Sequence, residues 1–300
     1  MSSVLYVPSF PEIALADSEK EAHTGANEGE LVMATTIDRV GTELARTPPR
    51  PRTGLHRTRF YFWLTLVCAA VAIGGFMGTY WLQLPARTFR GPPLLHIHGL
   101  LCTTWVLYLI SQSSLVVRGK IRSHRDWGLL GIALASVLTV VAIAVAITGM
   151  NDRVAQYGDA ARSFLTVPLS AIGLFAAFTA AAVANVKRPE WHRRLMIVGT
   201  SCLIQAALAR VFFLLATGGG PGMRPGVLPP PPVGVAAMPA FLLELIPVAG
   251  MIRDWRVERR VHPAWIVAVV VITSVELLRS PISASAGWLA FASWLGGIAG

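Results

Sequence analysis

Charge is scarce in this sequence: 14% of its 300 residues are charged, and only 16 are acidic. Cysteine is scarcer still, at three residues, Cys68, Cys102 and Cys202. An odd count with no member in an exposed loop excludes a disulfide framework, and no Cys-x-x-Cys pair exists to hold zinc or an iron–sulfur cluster through thiolates. The three read as small apolar fillers. Also missing are a Gly-x-x-x-x-Gly-Lys-Ser/Thr phosphate loop, a Gly-x-Ser-x-Gly elbow and a His-Glu-x-x-His pair. ATP-driven or hydrolytic chemistry would therefore need a partner chain, and no enzyme class is assigned.

What is present is apolar sequence in long runs. Stretches at 60–82, 94–117, 127–150, 163–186, 195–217, 236–252 and 263–279 each approach the length that crosses a bilayer, about 20 apolar residues for roughly 30 Å of hydrocarbon. The sequence predicts an all-α, polytopic membrane bundle of seven spans over 59–300. Residues 1–58 are polar, mixed in charge and end in Arg46-Thr-Pro-Pro-Arg-Pro-Arg52. Such a composition cannot bury enough apolar surface to offset chain entropy, so a disordered tail is expected there, with Met33 as an alternative start.

The basic residues alternate between loops. Arg46, Arg50, Arg52, Arg57 and Arg59 precede the first span; Arg118, Lys120, Arg122 and Arg125 follow the second. Lys187, Arg188, Arg193 and Arg194 follow the fourth, and Arg253, Arg256, Arg259 and Arg260 the sixth. The intervening loops hold only Arg87 and Arg90, then Arg153 and Arg162 beside Asp152 and Asp159, then Arg224. Cytoplasmic loops carry the excess of Lys and Arg, which places the N-terminus inside and the C-terminus outside. The net charge of +10 then serves topology and anionic lipid headgroups rather than nucleic acid. Trp63, Trp127, Trp191, Trp255 and Trp265 fall at the inner boundary and Trp81 at the outer, as interfacial anchors do. The Gly/Pro-rich loop 217–235, with Pro229 to Pro232, is expected to screen the outer mouth. Beyond Pro281, residues 284–295 suit a short interfacial helix carrying Trp288 and Trp294.

Ionisable side chains inside spans are costly and face the bundle interior. His96, His98, Arg210, Glu244 and Glu276 fall in the outer half and form the candidate binding pocket. Arg210 is the natural partner of either glutamate, or else Glu276 meets Arg279 three residues on. Pro247 has no N–H to give Leu243 and should kink the helix beside Glu244. Two imidazoles and a carboxylate suit a divalent transition metal, and Glu244 alone suits a proton, although no metal site is assigned. Ser111-Gln-Ser-Ser114 reads as helix-to-helix glue.

His124, His192 and His262 share one depth at the cytoplasmic side, each opening an outward-running span. His124 and His192 are candidate axial ligands for one b-type haem if their spans oppose one another; the alternative is interfacial histidines meeting headgroups. The motifs His96-Ile-His98-Gly99, His124-Arg125-x-x-Gly128 and His192-Arg-Arg-Leu-Met196 resemble a group of bacterial multi-span proteins of unassigned function, over residues 60–295. More loosely, histidines at the ends of a small helical bundle resemble the b-type membrane cytochromes. The resemblance implies a bacterial cytoplasmic membrane location. Three functional classes stay open: binding or transport of a small solute, ion or proton; a redox protein with one haem or quinone; and an accessory subunit of a membrane complex.

Overall fold

The computed structural model describes Val32, Thr35, Thr36 and residues 53–299 apart from 224, 225 and 227. It divides into two compact units at Gly54. In the first, the Thr35 and Thr36 hydroxyls donate to the Val32 carbonyl. The other residues of the expected tail up to 52, Met33 included, and Arg224 lie outside the described residues.

Among its described residues the second unit has helices joined by loops and no strand. Its helices are α1 (Thr53–Gly75), α2 (Pro93–Val117), α3 (Ile121–Tyr157), α4 (Asp159–Phe164), α5 (Thr166–Ala184), α6 (Pro189–Leu203), α7 (Gln205–Thr217), α8 (Ala237–Leu243), α9 (Leu245–Glu258), α10 (Pro263–Ser283) and α11 (Ala286–Ala299). The ends follow local chemistry. Pro93, Pro189 and Pro263 open α2, α6 and α10, where a missing N–H costs nothing. His262 caps α10 by accepting from the Ala264 N–H at 3.1 Å. Burial, and after it the nearby Arg194 charge, hold the His262 imidazole below its usual range. The neutral ring is the form that can accept this bond.

Six helical segments are long and apolar enough to cross a membrane: Pro93–Val117, Ile121–Tyr157, Asp159–Ala184, Pro189–Thr217, Val233–Glu258 and Pro263–Ser283. The chain is accordingly a multi-pass membrane protein. The first expected span differs. Its apolar helix is the shorter Arg59–Gly75, after which Met77–Trp81 widens into a π turn. The helix also starts at Thr53, ahead of the expected boundary at 59. At 37 residues, α3 is the longest helix described.

Exposed Leu129, Val140, Leu215 and Val270 form an apolar outer surface, the expected state of a helix that is hydrophobic all round. Inside, α5 packs most extensively on α6, and α2 on α3. One core gathers Cys68, Phe178, Val198, Ile246 and Trp265; a second places Trp105 and Phe175 edge to face with Leu138 beside them. Small residues set the closest approaches. A Cβ on Gly75 would lie 2.2 Å from the Ala207 carbonyl oxygen, and one on Gly250 would lie 2.4 Å from the Trp265 ring. The Ser111–Ser114 run meets α1, with Ser113 Oγ and Thr65 Oγ1 3.0 Å apart.

α11 packs against α3 and α4 through Ala292, Met150, Ala161 and Leu165. Asn151 Nδ2 donates to the Gly296 carbonyl at 3.0 Å and Trp288 Nε1 to the Arg162 carbonyl at 2.9 Å. The 217–235 loop is fastened to the end of the π turn, where Gln83 Nε2 donates to the Met223 carbonyl at 2.9 Å.

Candidate functional site

Three crossing segments are interrupted part-way, and two of the breaks flank the same cavity. Between α8 and α9 the break falls at Glu244, where Pro247 withholds an N–H from the Leu243 carbonyl. Pro168 stands in the same relation to Phe164 at the break between α4 and α5, which falls at Leu165. Between α6 and α7 the break is at Ile204. Just before it, the Thr200 and Ser201 hydroxyls donate back to the Met196 and Val198 carbonyls at 3.0 and 2.7 Å, a pattern that bends helices.

Between the Ile204 and Glu244 breaks lies a cavity of about 10 Å³ lined by Ser201, Cys202, Gln205, Glu244, Glu276 and apolar neighbours. That is room for about one water. Glu276 is buried, and its Oε2 accepts from Arg279 Nη1 at 2.5 Å. Arg279, also buried, donates through Nε to Ser170 Oγ at 2.6 Å and through Nη2 to Gln205 Oε1 at 3.2 Å. Gln205 Nε2 in turn donates to the Ala236 carbonyl at 3.0 Å, where the 217–235 loop rejoins the bundle. Half-buried Glu244 accepts from Thr273 Oγ1 at 3.1 Å on each oxygen. Glu276 Oε1 is buried with no hydrogen-bond partner. Two carboxylates thus line one water-sized space, Glu276 paired with Arg279 and Glu244 held by Thr273.

The five expected pocket residues divide into two groups. Glu244 and Glu276 line this cavity. His96, His98 and Arg210 gather instead around the π turn. The Tyr80 hydroxyl lies 3.0 Å from His96 Nδ1, and Phe89 packs on the His96 ring at 5.0 Å. His98 lies 3.6 Å from Cys102 Sγ and within electrostatic reach of Arg210. Arg210 stands over the Phe76 ring at 5.2 Å. Glu276 takes Arg279 as its partner, the i, i+3 alternative. Among the described residues, no three or more His, Cys, Asp or Glu side chains gather into a group that could hold a metal ion.

At the basic end of the bundle, His124 of α3 and His192 of α6 are brought together. Their ring centres are 6.2 Å apart and their planes inclined at 75°. His262 packs separately, edge to face on Trp191 at 5.1 Å.

A second buried polar cluster at this end was not singled out from the sequence. Arg194 and Asp254 are both fully buried. Arg194 donates to Asp254 Oδ2 at 2.6 and 3.1 Å, and to the Glu190 carbonyl and carboxylate at 2.8 and 2.6 Å. Trp265 Nε1 donates to the same Asp254 oxygen at 3.0 Å, and Arg253 to the other at 3.0 Å. Tyr61 stacks on Trp265 with ring centres 6.4 Å apart, and Arg193 lies over the Tyr61 ring at 4.5 Å. The cluster ties α1, α6, α9 and α10 together. Its one sequence signal is Asp254, an acid amid arginines that otherwise report topology.

No protein-family model matches the chain, and neither does any curated protein or solved structure.

Proposed function

We propose that this chain is a bacterial cytoplasmic-membrane protein that binds and passes a proton, or a monovalent cation of water size, at the Glu244–Glu276 cavity. The observation that carries this reading is the pair of carboxylates on one water-sized space, with Glu276 Oε1 unpartnered. Glu276 and Arg279 neutralise one another, so Glu244 supplies one uncompensated charge. An isolated charge in a span costs about 2.5–3.5 kcal/mol even on insertion scales, and a bound proton or cation removes that cost. The cavity volume narrows the sequence-level expectation, because a solute of several heavy atoms does not fit. The breaks at Ile204 and Glu244 supply the remaining element. Transport sites sit where membrane helices are discontinuous and local backbone shifts alternate access. The alternation of basic loops supports the N-inside orientation, with the basic end meeting anionic lipid.

The test is proton movement into proteoliposomes holding a trapped pH-sensitive dye, with an imposed potential. Glu244→Gln and Glu276→Gln each reduce the flux to the protein-free background, while Glu258→Gln at the basic end preserves it. Wild-type flux in both cavity variants refutes the proposal. Flux that follows an imposed sodium or potassium gradient, rather than the proton gradient, assigns the site to a cation.

A further inference from the structure

We infer that Arg279 is a latch on the outer side of the Glu244–Glu276 cavity, released when Glu276 takes up a proton; the inference rests on the proton reading given above. The guanidinium holds three helices at once. On its own α10 it donates through Nη1 to Glu276, while Nε donates to Ser170 Oγ on α5 at 2.6 Å and Nη2 to Gln205 Oε1 on α7 at 3.2 Å. Gln205 extends the tie, because its Nε2 donates to the Ala236 carbonyl at 3.0 Å, one residue before α8. Gln205 directly follows the Ile204 break, and α8 ends at the Glu244 break. The segments α7 and α8 pack on each other and lie beyond these breaks from the basic loops. Arg279 and Gln205 therefore fasten that outer pair to α5 and α10.

The fastening depends on charge. Arg279 and Glu276 are 2% and 4% exposed, and among the described residues Glu276 is the one carboxylate within ion-pair distance of Arg279. A buried cation that loses its counter-charge is strongly disfavoured. Glu276 lines the cavity and keeps Oε1 without a hydrogen-bond partner. A proton arriving through the cavity bonds to that oxygen and turns the carboxylate into a neutral acid. Arg279 then has no counter-charge, and water at the outer end competes with Ser170 and Gln205 for its N–H groups. With those two bonds broken, α7 and α8 turn at the Ile204 and Glu244 breaks and open the cavity on that side. Release of the proton to outside water restores the carboxylate, and the latch closes. The other ionisable groups within electrostatic reach of Glu276 are Glu244, held by Thr273, and Cys202.

Cys202 lines the same cavity and reports its opening. The experiment follows the rate at which N-ethylmaleimide labels Cys202 in the full-length chain carrying Cys68→Ala and Cys102→Ala, purified in detergent. Gln205→Leu removes the tie, and Glu276→Gln imitates the protonated carboxyl. Each should raise the rate by about tenfold at a fixed pH, within the usual range for coupled sites. As pH falls, the rate with Gln205 and Glu276 intact should climb toward that of Gln205→Leu at the same pH, whereas a tie indifferent to the proton keeps their ratio constant. Cys68, fully buried in the core that also holds Val198 and Ile246, is the control for folding. It should stay unlabelled in both variants when it is the one cysteine left. Unaltered Cys202 labelling in both variants, or a constant ratio, overturns the latch. Labelling of Cys68 in the variants also overturns it, because these side chains then hold the fold and not the cavity. Proton flux separates the two readings. Wild-type vesicles without flux remove the proton reading and this inference together, while flux lost in Glu276→Gln beside unaltered labelling removes the latch alone.

Discussion

Replacing Asp254 by Ala removes the acceptor that holds four donors, three of them buried. Arg194 Nη2 and Nε lie 2.6 and 3.1 Å from Oδ2, Trp265 Nε1 3.0 Å from the same atom, and Arg253 Nη1 3.0 Å from Oδ1. After the change Arg194 stays fully buried, with Glu190 at 2.6 Å and Glu258 at 4.0 Å as its acidic neighbours. Breaking one partner of a buried ion pair costs about 3–5 kcal/mol, a large share of a total of about 5–15 kcal/mol. Glu190, more than a third exposed, returns only the fraction of a kcal/mol typical of solvated pairs. The assay is unfolding in mixed micelles by increasing sodium dodecyl sulfate, followed by circular dichroism. Asp254→Ala is expected to lose about 3–5 kcal/mol and Glu190→Ala less than about 1 kcal/mol. The double change Arg194→Met with Asp254→Leu should recover most of the loss, because paired apolar replacements of a buried ion pair are often neutral. A loss below about 1 kcal/mol for Asp254→Ala refutes the view that this cluster holds the four helices.

Other outcomes follow from single contacts. Gly250→Ala drives a methyl to 2.4 Å from the Trp265 ring and should cost about 1–3 kcal/mol in the same assay. By contrast, Gly128→Ala meets nothing within 4 Å and should stabilise the chain by up to about 1 kcal/mol. The His262 cap gives a pH signature. The unfolded chain protonates this ring near its ordinary value of about 6.5, while the folded chain holds it lower. Its contribution to stability is therefore complete above that pH and declines as pH falls through the interval between the two values. His262→Asn keeps a capping acceptor and should flatten that slope. Single cysteines at Lys120 and Gly158, in a cysteine-free background, should label with an impermeant maleimide from opposite sides of the membrane.

The crossing helices were legible because each needs only local composition, and windows of about 20 apolar residues do not occur by chance between clusters of arginine. The interruption at Glu244 was legible for a similarly local reason, since Pro247 withholds one amide. The Glu276–Arg279 contact lies at an i, i+3 spacing open to inspection. Rotation of a helix about its axis is set by neighbours instead. Composition therefore could not show that His96, His98 and Arg210 turn toward the π turn while Glu244 and Glu276 turn toward the cavity beside Ser201, Cys202 and Gln205. The Arg194–Asp254 pair is 60 residues apart. Both members sit in segments whose charges were fully explained by topology, so nothing local marked them as buried. The break at Ile204 has no proline to announce it.

The length of α3 sets a condition on the surrounding lipid. Its 37 residues make a rod of about 55 Å, while α10, at 21 residues, measures about 31 Å, close to the hydrocarbon thickness itself. The surplus of α3 must be taken up by tilt or by emergence into the headgroups. It lies in part beyond Met150, where Asn151 grips the Gly296 carbonyl. The C-terminal helix is therefore moored to the part of the rod whose depth changes with bilayer thickness. Thinner membranes lift this mooring away from the acyl chains and thicker ones draw it in, which couples the attachment of the last helix to the lipid in which the protein resides.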